Sequence, residues 1–370
     1  MLKIINIVGA RPNFMKIAPL VKAMARHQDM KSCLVHTGQH YDDKLSEVFF
    51  KQLGIPSPDI NLGIGSASRD EQIARISAAF EPIVIDQRPD AVLVVGDVNS
   101  TIACARIAKD HGAKVIHVEA GLRSFDLSMP EEHNRMETDQ ISDYLFVTEE
   151  SGMENLEKEN VPGKRFLVGN CMIDTLAQNL DRIMNSPILA QLGLSPKQYM
   201  VATFHRPSNV DTQEALSRLV ATLGGLCERT KLVLPLHPRT RKSAENFGLL
   251  KALEATPGLL LTEPLGYHDF IRLVKDAVVV VTDSGGIQEE STYLRVPCLT
   301  MRDNTERPVT VTVGTNTLLG SDSKALLAAV DSVIAGNYKR GAIPPLWDGH
   351  ASERIVDILR DDLKAPYTKA

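Results

Sequence analysis

Short apolar runs alternate with amphipathic stretches from one end of the chain to the other. In the first half, residues 3–8, 32–37, 91–96, 114–119, 144–148 and 165–169 are rich in valine, isoleucine and leucine and mostly apolar on both faces. Strands of a parallel sheet covered by helices read this way. Residues 68–87, 100–110 and 131–142 between them follow a helical period, so this half predicts a βαβ series. The series restarts after about residue 185, with strands over 199–204, 231–236, 259–262, 277–282 and 297–301 and helices over 211–228 and 267–275. The stretch "NSPILAQLGLSPKQ" at 185–198, with two prolines and a glycine, reads as a boundary region. The expectation is an α/β protein of two doubly wound, Rossmann-like domains with a cleft between them. They are placed at 1–175 and 176–348, and an amphipathic helix near 349–370 packs back on one half, the first being the expectation.

Composition narrows the class. The chain has 370 residues, enough for two domains of ordinary size. A net charge of −5 gives no broad basic face, which argues against nucleic acid as partner. The five cysteines are scattered without a CxxC pair, so reduced thiols are expected and neither zinc nor disulfides. The segment "MLKIINIVGARP" lacks a signal-peptide pattern, and no apolar run approaches the ~20 residues of a bilayer span. A cytoplasmic protein without membrane attachment is expected.

In open α/β sheets ligands bind beyond the carboxyl ends of the strands, so polar residues there are the candidates. "VGARPNFMK" at 8–16 offers Arg11 and Lys16, as solvated cations of a turn or as anion contacts at a helix start. It is not GxGxxG, so the dinucleotide fingerprint is missing. "VVGDVNST" puts Asp97 at a strand end, either as a helix cap or as a functional carboxylate. Glu119 closes an apolar strand in "HVEAGLRSFD", which is costly unless the carboxylate is ion-paired or opens to a cleft. Glu131, in "MPEEHNRMETD", is an ordinary first-turn acid or a third functional carboxylate.

In the second half, His205 and Arg206 follow one strand and His237 follows another. "TDSGGIQEE" leaves bare backbone at Gly285 and Gly286 where a helix starts, an arrangement suited to an anion, with Glu290 one turn further on. Arg302 and Arg307 follow the next strand in "MRDNTERP". Cations and amides in one half with three carboxylates in the other suit a nucleotide diphosphate ester whose attached group undergoes proton transfer. No Ser–His–Asp motif or metal-ligand spacing is evident, and no cofactor is called for.

These motifs, together with "GN" followed by "MIDTL", resemble the non-hydrolysing UDP-N-acetylglucosamine 2-epimerases of bacteria and archaea, in order through roughly residues 4–320. The resemblance implies the two-domain architecture of B-type glycosyltransferases, a homodimer, and interconversion of UDP-GlcNAc and UDP-N-acetylmannosamine for surface polysaccharides. It implies acid/base roles for Asp97, Glu119 and Glu131 and places His205 near the departing diphosphate. Arg11, Lys16, Arg135, Phe270 (at uracil), Ser284, Gly285, Gly286, Glu290 and Arg307 become the substrate-binding set. A regulatory second UDP-GlcNAc site is implied at Gln39, His40, Arg69, Glu137, Arg206 and His237. Two departures stand out: "HRPSN" where many members read HRRE-N, so that Ser208 replaces an acid, and "TERPV" for TERPE. The alternatives are action on a related UDP-HexNAc derivative, a hydrolysing 2-epimerase releasing ManNAc and UDP, a glycosyltransferase on the same fold, and a non-catalytic nucleotide-sugar sensor.

Overall fold

The computed structural model describes residues 1–38 and 53–364. The chain divides into two compact units, one of Met1–Gln178 with the chain from Pro345 onward, the other of Asn179–Pro344. The first unit holds β1 (Leu2–Val8), β2 (Met30–His36), β3 (Ile60–Asn61), β4 (Ala91–Val95), β5 (Lys114–Ala120), β6 (Tyr144–Val147) and β7 (Lys164–Leu167). These strands form one parallel sheet of order β3-β2-β1-β4-β5-β6-β7. The second unit holds β8 (Tyr199–Thr203), β9 (Lys231–Pro235), β10 (Leu259–Thr262), β11 (Val280–Thr282), β12 (Cys298–Thr300) and β13 (Asn316–Leu318). They too are parallel, in the order β10-β9-β8-β11-β12-β13. Each unit is Rossmann-like, and its strand order reverses once, between β1 and β4 in the first and between β8 and β11 in the second.

The two-faced apolar strands follow from helices on both sides. Met200 and Ala202 of β8 pack with Leu216, Leu223, Leu326 and Val330. Tyr199 and Val201, one residue out of phase, pack with Ile188, Leu189, Leu273 and Val274 instead. Full burial of each such aliphatic side chain is worth about 1.5–3 kcal/mol. The stretch 185–198, which reads as a boundary region, packs within the second unit. The prolines and glycine there shape turns around a short helix, Ile188–Gln191, whose apolar residues lie in the second unit's core. The division falls earlier, inside the helix Cys171–Met184.

The C-terminal helix, Ala351–Lys364, belongs to the first unit. The backbone N–H groups of Ala351 and Ser352 donate to the buried Asp174 carboxylate at 3.0 and 2.6 Å, so a side chain distant in sequence caps the helix. Just before it, the Trp347 indole donates to the Thr148 carbonyl at 3.1 Å. No helix among the described residues is long and apolar enough to cross a membrane.

Candidate active site

At the first switch point, the ends of β1 and β4 carry Gly9 to Arg11 and Gly96 to Asp97. Arg11 opens the helix Arg11–Ala25. One turn later Lys16, buried, forms an ion pair with Glu119, of which only 6% is exposed. Glu119 sits at the end of β5 with φ +70°, and the register against β6 slips between Val118 and Ala120. A non-glycine residue in the left-handed region costs of order 1–3 kcal/mol and persists only where its surroundings hold it. Gly96, with φ +66°, makes room for the pair: a Cβ there would lie 2.9 Å from Lys16 Nζ.

Asp97 does not cap the following helix, whose N-cap is Val98. Its carboxylate instead takes a 2.5 Å ion pair from Arg135. Arg135 also pairs with Glu132, and Glu132 accepts from the backbone of Ser124 and Phe125 and from the Ser124 hydroxyl. Of the two adjacent glutamates, the buried anchor is therefore Glu132, while Glu131 is exposed on the first turn of the helix Pro130–Ile141. Asn134 donates to the Asp97 carbonyl at 2.9 Å and accepts from Arg69 at 2.7 Å. Arg69 lies 3.9 Å from Glu137.

At the second switch point, β8 ends beside His205 and Arg206, and β11 ends beside Asp283. Asp283 is fully buried and accepts from the backbone N–H groups of His205 and Arg206 and from the Asn209 amide, each at 2.9–3.2 Å. Its carboxylate also meets His205 Nδ1 at 3.1 Å. Burial pushes the Asp283 carboxyl up, but these hydrogen bonds, led by His205, hold it below the usual aspartate range. The His205 ring lies 5.1 Å from that of His237, which caps its own helix by accepting from Arg239 N–H.

Ser284 is the N-cap of the helix Gly285–Leu294, and Gly285 and Gly286 are its first residues. Gly285 allows a close approach: a Cβ there would lie 3.0 Å from Arg307 Nη1. Arg307 is held by Glu289 at 2.8 Å and by Glu306 at 3.5 Å. Glu306, 2% exposed, also takes Arg302 at 3.0 Å and Arg206 at 3.7 Å, so one buried carboxylate organises three guanidinium groups. Glu290 is buried facing Tyr267, whose phenol burial and this carboxylate together push well up. Phe270 is half-buried against the core on the helix Tyr267–Asp276.

The family model described as UDP-N-acetylglucosamine 2-epimerase matches residues 22–360, nearly the whole chain. The chain belongs to this 2-epimerase family. A UDP-N-acetylglucosamine 2-epimerase of Methanocaldococcus jannaschii is 39% identical over 97% of the chain and 99% of the relative. The UDP-2,3-diacetamido-2,3-dideoxy-D-glucuronate 2-epimerase of Pseudomonas aeruginosa is 38% identical over 97% of the chain and 99% of the relative. The crystal structure of the M. jannaschii enzyme in complex with UDP-GlcNAc and UDP superposes with a TM-score of 0.90, covering 97% of this chain and all of that one.

Within this 2-epimerase fold, the first unit brings together Lys16, Asp97, Glu119 and Arg135, and the second brings together His205, Ser284, Gly285, Gly286 and Arg307. Of the second-site residues, Arg69 and Glu137 lie side by side in the first unit, and Arg206 and His237 touch Asp283 and His205 in the second. Gln39 and His40 lie outside the described residues. Sequence reasoning passed over Glu132, Asn134, Asp283 and Glu306, the groups that hold the candidate residues in place. The available signal was an acid directly beside a recognised motif residue, as Asp283 stands beside Ser284 and Glu306 beside Arg307.

Proposed function

We propose that the protein interconverts UDP-GlcNAc and UDP-N-acetylmannosamine by eliminating UDP and adding it back, without hydrolysis. The observation that carries this reading is the buried Glu119, held beside Lys16 at a bulged strand end with a second anchored carboxylate, Asp97, at the neighbouring one. The C1–O bond breaks first, and UDP departs with its electron pair. The developing oxocarbenium ion acidifies C2–H, and a carboxylate takes that proton as the C1=C2 bond of 2-acetamidoglucal forms. Proton return to the opposite face of C2 and attack of a UDP oxygen on C1 give the epimer. Two faces require two acid/base groups. We assign these to Glu119 and Asp97, with Glu131 as the third carboxylate.

The diphosphate needs positive groups as it departs. We assign the amides of Gly285 and Gly286 with Arg307 and His205 to it, Arg11 as a further cation, Glu290 to the ribose and Phe270 to the uracil. One preorganised donor contributes about 3–4 kcal/mol. A positioned acid or base contributes roughly 10²–10⁴ in rate, so neither set suffices alone. Retention of UDP distinguishes this reaction from its hydrolysing counterpart. Incubation with UDP-GlcNAc followed by ion-exchange chromatography is expected to give two UDP-sugars at equilibrium, and steady accumulation of UDP and free ManNAc contradicts the reading.

A second reading has a specific observation behind it. The P. aeruginosa diacetamido-glucuronate relative is as similar as the M. jannaschii one, at 38% against 39% identity. A UDP-HexNAc substituted at C3 and C6 is then the better substrate, and kcat/KM measured on both UDP-sugars decides between them.

A further inference from the structure

We propose that His117 and Asp139 form a clamp that sets the backbone of Glu119, making both of them positioning residues for the proton transfer. The proposal rests on the reading of Glu119 as an acid/base group. Asp139 is fully buried on the helix Pro130–Ile141. One carboxylate oxygen meets His117 Nδ1 at 2.7 Å, two residues before Glu119. The other accepts from the Gly121 N–H at 3.2 Å, two residues after it, and takes Arg123 at 2.8 Å. One side chain thus brackets the bulge from both sides. The far edge of His117 closes the frame, since Nε2 donates to the Gly96 carbonyl at 2.9 Å. That fixes the turn whose missing side chain admits Lys16 to Glu119.

Regular alternation along β5 would put Glu119 on the same face of the sheet as His117. The extra residue between Val118 and Ala120, Glu119, breaks that alternation and has left-handed backbone. The Asp139 bonds reach both flanks of this break, at His117 and Gly121. Arg123 steadies Asp139 from behind and is itself held by both oxygens of Glu159, at 2.8 and 2.6 Å.

The test compares H117L, H117Q, D139N and E159Q with E119Q. It measures kcat, KM, UDP affinity by calorimetry and thermal unfolding. A carboxylate displaced by about 1 Å can lose 10²-fold in rate, so H117L and D139N are expected to lose about 10²-fold in kcat with KM and UDP affinity nearly unchanged. H117Q, whose amide can reach the Gly96 carbonyl, is expected to recover part of the loss. E159Q, at the partly exposed end, is expected to lower kcat by about threefold, a small misplacement on the same scale. If H117L and D139N do not fold, H117Q and E159Q carry the comparison. Wild-type kcat in the folded clamp variants with a large loss in E119Q overturns the clamp alone. Parallel loss of kcat, KM and UDP affinity, with H117Q no better than H117L, also overturns it by showing general misfolding. Full turnover in E119Q overturns the reading of Glu119 itself.

Discussion

In the first unit the groups proposed to act on the ligand are carboxylates, and cations hold them: Lys16 on Glu119 and Arg135 on Asp97. In the second the groups proposed for this are a guanidinium, an imidazole and bare helix-start amides, and buried carboxylates hold the side chains: Glu289 and Glu306 on Arg307, and Asp283 on His205. Both clusters stand at the point where a parallel sheet reverses its strand order, so the same fold presents opposite chemistry at equivalent places. Ion pairing alone therefore says little about role. Glu132, Asp139 and Asp283 spend their oxygens on several N–H donors each, whereas Asp97 is only part-buried at the end of its strand.

The largest expected effect is on the first cluster. Glu119→Gln should keep UDP affinity, read by calorimetry, and lose roughly 10²–10⁴ in turnover. Loss of UDP affinity instead would erase the division of labour between the clusters. On the second cluster, Arg307→Lys keeps a charge near Glu289 but loses the planar fork. It should lower UDP affinity and turnover together, with turnover down by about 10²-fold, comparable to removal of one oxyanion donor. A pure kcat effect there would contradict the assignment to the diphosphate.

Smaller effects test the supports. Asp283 is held below the usual aspartate range, so its contribution to stability is whole above the ordinary aspartate value, about 3.9, and is lost as pH falls through its lower folded value. The difference in unfolding free energy between wild type and Asp283→Asn should shrink as pH falls below about 4. The smallest effect on activity is expected at Asp174, whose carboxylate is spent on the start of the C-terminal helix. Asp174→Ala removes the remote cap of the C-terminal helix and should cost about 1–3 kcal/mol of stability, read by denaturant unfolding, with kcat unchanged.

Most of the architecture was legible because strands covered on both faces must be apolar on both faces, which β1, β4, β8 and β9 are. The strands that escaped, β3 and β13, are edge strands of two and three residues, too short and too polar to give a hydrophobic run. The prolines and glycine at 185–198 mark turns inside the second unit, because the apolar residues between them decide the packing. Strand-end polar residues such as Asp97, Glu119 and His205 stood out against the apolar runs they close. Their supports did not, because Glu132, Asp139 and Glu306 look like ordinary helix or loop acids until the fold buries them. Glu131 and Glu132 differ by one helical position, and only the packing shows which of them turns inward.

The central claim is that a side-chain carboxylate exchanges the hydron at C2 while UDP is detached. Proton NMR of the enzyme with UDP-GlcNAc in deuterated buffer reads this directly. The account predicts deuterium at C2 of both UDP-sugars, appearing as the epimer forms and suppressed in Glu119→Gln. Epimer that forms with its original hydrogen wholly retained at C2 would contradict it.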